Sequence, residues 1–274
     1  MKTRIFAGAG LCAVLIITIL LNGPFPLFLN LLIAFMCGVA AHELCKCFSL
    51  EKQKWIYYPT ILYGVIAPLI VKIQPSWGLF ALTCVYSLWI FFTIIHHHEV
   101  IKFTETIPVF AMQILVTRAL ITLLDIRTIC GNFGIFYVMV AILGPWIADA
   151  GAYFSGSFFG KHKLCPVISP KKTVEGFVGG IVVSVVAALL SGLILTKVYS
   201  PISPMKHYIA LALSGFFCGF VSVVGDLSFS IIKREKGIKD YGNLIPGHGG
   251  ILDRFDSVIF VAPLVYLTLY IIGV

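Results

Sequence analysis

Apolar residues along this chain come in long blocks, separated by short polar or turn-forming stretches. Nine blocks lie near residues 5–21, 25–43, 56–71, 77–95, 107–124, 133–150, 177–196, 207–227 and 257–272. Each is close to the roughly 20 residues that a helix needs to cross hydrocarbon. The breaks fall at Asn22-Gly23-Pro24, Gln74-Pro75, Gly131-Asn132 and Pro201–Pro204, all turn chemistry that ends helices. No polar connection exceeds about 30 residues, too short for a soluble domain. The pattern predicts an all-α polytopic integral membrane protein of about nine transmembrane helices. It is read as one membrane domain over 1–274, with amino-terminal helices in 1–130 and chemistry-bearing helices and loops in 131–274.

Composition agrees: 59% of residues are hydrophobic and mean hydropathy is +1.00, well beyond a soluble globular domain. Met1-Lys2-Thr3-Arg4 before an apolar block also suits a secretory signal, but the block ends Leu20-Leu21-Asn22-Gly23-Pro24 without an Ala-x-Ala site. A retained first helix is the better reading. The eight cysteines lie mostly within apolar blocks and form no Cys-x-x-Cys pair, so they read as small hydrophobes.

Charge sets the orientation. With the amino terminus in the cytoplasm, the inner face holds Lys2, Arg4, Lys46, Lys52, Lys54, Lys102, Lys161, Lys163, Lys171, Lys172, Lys233, Arg234, Lys236, Lys239 and Arg254, fifteen in all. The outer face holds four, Lys72, Arg127, Lys197 and Lys206. That asymmetry obeys the positive-inside rule and places the polar loops where nucleotides are found. It predicts a multi-pass protein of the inner (cytoplasmic) membrane with its active site facing the cytoplasm and the bilayer as a partner.

Several motifs fail on inspection. Gly8-Ala9-Gly10-Leu11-Cys12-Ala13 matches a dinucleotide fingerprint but lies in an apolar block with no strand before it. Gly156–Lys161 is one residue too short for a P-loop, and His162 stands where Ser or Thr should be. His248-Gly249-Gly250 has no nucleophile elbow to serve. His96-His97-His98 point in different directions on a helix and read as a polar cap, and His42-Glu43 reads as a helix-end pair.

Others survive. Asp149 and Asp226 each sit at the cytoplasmic end of an apolar block, where an isolated carboxylate is costly and must be paired or ligated. Asp253 and Asp256 are spaced i, i+3, so a helix beginning near Gly250 presents both on one face. Its free N–H groups and positive dipole end suit anionic ligands. Asp226, Asp253 and Asp256, with Asp149 as a further candidate, make a hard-oxygen set of the kind Mg2+ prefers, with a second cation left open. Lys233, Arg234 and Lys239 surround these acids as phosphate-binding groups. Lys171-Lys172 follow Ser169-Pro170, read as a helix cap and first helical residue. Gly247, Gly249 and Gly250 leave backbone N–H groups open to a phosphate. Lys46, Lys52 and Lys54 are not interleaved with Gly, Ser and Asp, and are expected only to set topology.

The stretch from Ser230 to Asp256 resembles the signature of the phosphatidate cytidylyltransferase family of bacterial type. The resemblance rests on Ser230, Lys233-Arg234, Lys239-Asp240, Gly242, Pro246, His248-Gly249-Gly250, Asp253-Arg254 and Asp256. The segments ADAGAYFSGSFFGKHKL and LCPVISPKKTVEG resemble its second recurrent motif. The resemblance implies an enzyme joining CTP to phosphatidate, giving CDP-diacylglycerol and pyrophosphate in phospholipid biosynthesis. It implies Asp226, Asp253, Asp256, Lys233 and Arg234 as catalytic residues. Lys171, Lys172, Ser230, Lys239, His248, Gly249, Gly250 and Arg254 would bind substrate. It also suggests a homodimer and no nucleic-acid partner. The rivals are a CTP-dependent polyprenol or phytol kinase and a membrane transporter. A transporter calls for acidic residues near the bilayer midplane, whereas these cluster at one face.

Overall fold

A computed structural model describes residues 2–73, 77–166, 168–245, 247 and 249–274. Two of the sequence expectations, the break at Gln74-Pro75 and the substrate role of His248, fall outside those residues. Within them the chain forms nine α-helices: α1 (Lys2–Leu21), α2 (Leu27–Cys47), α3 (Lys54–Ile73), α4 (Trp77–His96), α5 (Phe103–Ile129), α6 (Gly134–Phe159), α7 (Val174–Tyr199), α8 (Pro204–Glu235) and α9 (Ile251–Ile272). Between α6 and α7, β1 (Lys163–Cys165) and β2 (Ser169–Thr173) pair antiparallel, Lys163 opposite Thr173 and Cys165 opposite Ser169. The helices α2 to α9 are all long and apolar enough to cross a membrane. Large apolar side chains such as Phe80, Leu88, Phe92 and Ile95 on α4 face outward, as hydrocarbon allows and water does not.

The chain divides into two compact units. The first comprises Met1–Ile121 and Glu235–Arg254, the second Thr122–Arg234 and Phe255–Val274. In the first, α2 packs on α3 and α3 on α4. Buried polar groups find partners there: Asn30 Nδ2 donates to the Pro68 carbonyl at 3.0 Å, and Thr60 Oγ1 lies 3.1 Å from the Tyr86 hydroxyl. In the second, small residues bring helix backbones together. A Cβ on Gly180 of α7 would stand 2.9 Å from the Ala148 carbonyl of α6, and one on Gly219 of α8 2.4 Å from Ile181 Cα of α7. Ser184 Oγ of α7 donates to the Gly215 carbonyl of α8 at 2.8 Å.

Of the helices that outrun the apolar blocks that announced them, α6 and α8 run furthest past the ends. The stretch after residue 227 was expected to be loop, yet α8 continues to Glu235, because nothing between 228 and 235 breaks a helix. Ser228 folds its hydroxyl back on the Val224 carbonyl at 2.7 Å. The break comes at Gly237, with φ of +67°, the left-handed conformation that closes helices. Likewise α6 runs to Phe159, so Asp149 and Asp226 sit inside long helices and not at their ends. The loop after α8 is residues 236–250.

The segment Ser169-Pro170 also differs from expectation. It does not start a helix: Ser169–Thr173 is strand β2, and Thr173 is the cap of α7. Thr173 is extended (φ −123°, ψ 155°) and its Oγ1 accepts from Gly176 N at 3.1 Å. The apolar run begins only at Val174, so the cap belongs immediately before it. A two-stranded ribbon is all edge, and Pro170 costs it little.

Candidate active site

Beyond α8 the chain enters the loop 236–250 of the first unit. Lys236 lays its ammonium over the Phe48 ring, 4.2 Å from the centroid. The Tyr241 side chain is buried. Gly247 and Gly249 take φ of +77° and +85°, and Ile245 N donates to the Gly249 carbonyl at 2.9 Å, folding the loop back on itself just before α9.

The first N–H groups of a helix have no partner within it. At α9 the protein satisfies them with its own carboxylates. Asp253 Oδ2 accepts from Gly250 N at 2.9 Å and from Tyr241 N at 2.8 Å. Glu43, on α2 and only 2% exposed, accepts from Ile251 N through Oε1 and from Leu252 N through Oε2, both at 2.9 Å. Both carboxylates sit at the positive end of the helix dipole. The helix begins at Ile251, as the spacing of Asp253 and Asp256 suggested, but these N–H groups are not open to a phosphate. Gly249 and Gly250 serve the same closure. A Cβ on Gly250 would meet Glu43 Oε1 at 2.2 Å, and one on Gly249 would meet Asp253 Oδ2 at 2.7 Å. Arg254 follows in the same turn, half-buried, and Lys239 lies exposed on the loop.

Glu43 escaped the sequence reading, which took His42-Glu43 as a helix-end pair. The available signal was a lone carboxylate inside a 21-residue apolar helix, which hydrocarbon tolerates only with a dedicated partner.

The second unit gathers a different set. Asp226 of α8 and Lys172 of β2 form an ion pair, and the Lys172 Nζ is shut off from solvent. Neighbouring residues of a strand point to opposite faces, so Lys171 is exposed while Lys172 turns to the carboxylate. Gly225 lets α8 approach α9: a Cβ there would stand 2.7 Å from the Asp256 carbonyl and 3.0 Å from Ser257 Cα. Asp256 is 6% exposed, and its Oδ1 accepts from Ser257 N at 2.7 Å and from Ser257 Oγ at 3.2 Å. Asp226, Lys233 and Asp149 all act on Asp256 electrostatically. Lys233 and Arg234 belong to the last turn of α8, with Ser230 one turn earlier. Nearby, Glu175 in the first turn of α7 receives His162 Nδ1 at 2.7 Å and Lys161 N at 3.0 Å, tying the ribbon to the helix.

Among the described residues no three His, Cys, Asp or Glu side chains are gathered closely enough to hold a metal by themselves. The donors that do share a neighbourhood, Asp226, Asp256 and Asp149, are all carboxylates. The ammonium lying against Asp226 marks a place where a cation is favoured.

The sequence profile of the cytidylyltransferase family matches residues 2–272. The chain is 34% identical to the phosphatidate cytidylyltransferase of Bacillus subtilis over 98% of its own length and 97% of the relative's. It is 46% identical to that of Staphylococcus saprophyticus and 44% identical to that of Staphylococcus aureus, each over 136 residues and half of either chain.

Proposed function

The chain belongs to the cytidylyltransferase family, and from that premise we propose that it joins CTP to phosphatidate, giving CDP-diacylglycerol and pyrophosphate. The observation that carries this reading is the second unit's cluster of Asp226, Asp256 and Asp149 with Lys172 and Lys233. A phosphomonoester oxygen of the lipid attacks the α-phosphorus of CTP. The bond to the β-phosphate oxygen breaks, and pyrophosphate departs with the electron pair. Such a transfer needs alignment and charge neutralisation more than covalent participation by the protein. Lys233 brings positive charge to the phosphates, Lys172 balances the Asp226 carboxylate behind it, and Arg234 offers a bidentate contact.

The carboxylates Asp226, Asp256 and Asp149 suit a hard divalent cation, Mg2+ in this reading. That ion is commonly held by one or two carboxylates together with substrate oxygens and water. When bound, it would offset the charge that develops on the transferring phosphates. Asp253 has Oδ2 committed to two backbone N–H groups, so its part in this reading is to fix the loop ahead of α9.

CTP labelled separately in the cytidine and in the γ-phosphate tests the reaction in vesicles carrying phosphatidate. Cytidine label entering lipid is the expected result. γ-Phosphate label entering a polyprenol or phytol would establish the kinase instead, and no label in any lipid would leave a transporter.

The same reading sets the amino terminus and the loop 236–250 on the cytoplasmic face of the cell membrane, supported by the fifteen-to-four division of Lys and Arg. In a cysteine-free background, Lys239→Cys should react with an impermeant maleimide only after the cytoplasmic face is opened, and Ser203→Cys from outside. The reverse pattern would overturn the orientation.

A further inference from the structure

The first unit holds a pocket of about 420 Å³, within the range of small-ligand sites. One wall is a single face of α2: Phe35, Gly38 and Val39, then His42, Glu43 and Lys46. These positions recur every three or four residues, so one stripe of the helix lines the space. Along the stripe the chemistry changes from apolar to cationic. Ile61 and Val65 of α3 add to the apolar part, and Tyr241, Gly242, Asn243 and Leu244 close the pocket. Phe35 and Leu244 stand 56% and 49% exposed, which gives the opening an apolar rim.

We propose that this pocket receives phosphatidate, with the phosphomonoester between Lys46 and His42 and the start of the acyl chains against Phe35, Val39, Ile61 and Val65. The inference rests on the reaction proposed above and adds where its lipid substrate docks. The gradient from apolar rim to cationic end matches a ligand with an acyl body and an anionic head. Charge complementarity identifies that head. Among the described residues no carboxylate pairs with the Lys46 ammonium. Glu43, the pocket's own acid, is turned to the N–H groups of α9. The cationic end is therefore not neutralised from within, and a phosphomonoester dianion suits it better than a zwitterionic headgroup. The Tyr57 hydroxyl, 2.9 Å from His42 Nδ1, holds the imidazole in place. Lys46 thus parts company with Lys52 and Lys54, with which the sequence had grouped it as a topology charge.

The test uses the full chain in phosphatidylcholine nanodiscs with a varied mole fraction of phosphatidate. Lys46→Gln and His42→Gln should each raise the half-saturating fraction of phosphatidate about tenfold, the loss of one charge-assisted contact. The KM for CTP should stay unchanged. Lys46→Arg should restore most of the affinity, and Lys52→Gln should change nothing. Both pocket side chains are exposed, so equal melting temperatures would confirm that the variants fold. An unchanged half-saturating fraction overturns the proposal, and so does a shift in the KM for CTP, which would give the pocket to the nucleotide. A binding arm keeps this separate from catalysis: labelled phosphatidate is crosslinked without CTP in an Asp256→Asn background. Labelling there should weaken with Lys46→Gln. If it is insensitive to that substitution, the pocket assignment fails even where cytidylyl transfer is intact. If the unmodified protein crosslinks through the pocket but transfers no cytidylyl group, the reaction fails and the pocket stands.

Discussion

Asp256→Asn is expected to lower the rate of cytidylyl transfer by about 10²–10³-fold, the usual loss when one preorganised electrostatic group is removed from a reacting centre. The substitution removes a charge and little else. An Asn oxygen can still accept from Ser257 N, so the start of α9 and the approach of Gly225 should survive. Asp226→Asn should act similarly, because it takes away the partner of a Lys172 ammonium that has no access to solvent. Asp149 is exposed and only one of several groups acting on Asp256, so Asp149→Asn should cost less. The check is initial rate against CTP at several Mg2+ concentrations, with melting temperature as the control for folding. A normally folded Asp256→Asn protein with near-normal turnover would remove that carboxylate from the chemistry.

The second large effect is expected at a residue with no place in the recognised signature. Glu43→Ala leaves the N–H groups of Ile251 and Leu252 without their acceptors in a buried setting. Each unsatisfied group costs about 1–3 kcal/mol, together a substantial part of the ordinary margin of about 5–15 kcal/mol. Melting temperature and activity should therefore fall together. Glu43→Gln preserves volume but can accept at one of the two positions only, its amide nitrogen meeting the other N–H donor to donor, and should be intermediate. Gly250→Ala approaches the same contact from the other side, since its methyl group would press on the Glu43 carboxylate, and should resemble Glu43→Ala. Unaltered melting of Glu43→Ala would show that the α9 terminus does not depend on this carboxylate.

The membrane class and the number of helices were legible in the chain because both are local. Hydrocarbon leaves an apolar block of about 20 residues little choice but a helix that pairs its own backbone, and each block here became one. The chemical inventory was legible for a related reason: ionisable groups beside hydrocarbon are expensive, so those between Asp226 and Asp256 stood out. Boundaries were less accurate. The reading ended helices where polarity began, whereas α6 and α8 continue through polar residues to Phe159 and Glu235, and α8 stops only where Gly237 takes a left-handed φ.

What each acidic and basic group touches was decided by tertiary structure alone. Lys171 and Lys172 are neighbours in sequence and look equivalent, but the pleat of β2 turns only Lys172 to Asp226. Asp253 and Asp256 share a helix and a residue type, yet one is bound to backbone N–H groups of its own loop and the other stands among Asp226, Lys233 and Asp149. The start of α9 looked open to a phosphate until α2 supplied Glu43 from 208 residues away. A helix is specified by the residues within it, but the partner of a buried charge is specified by whatever the fold brings within about 3 Å, and sequence distance puts no bound on that.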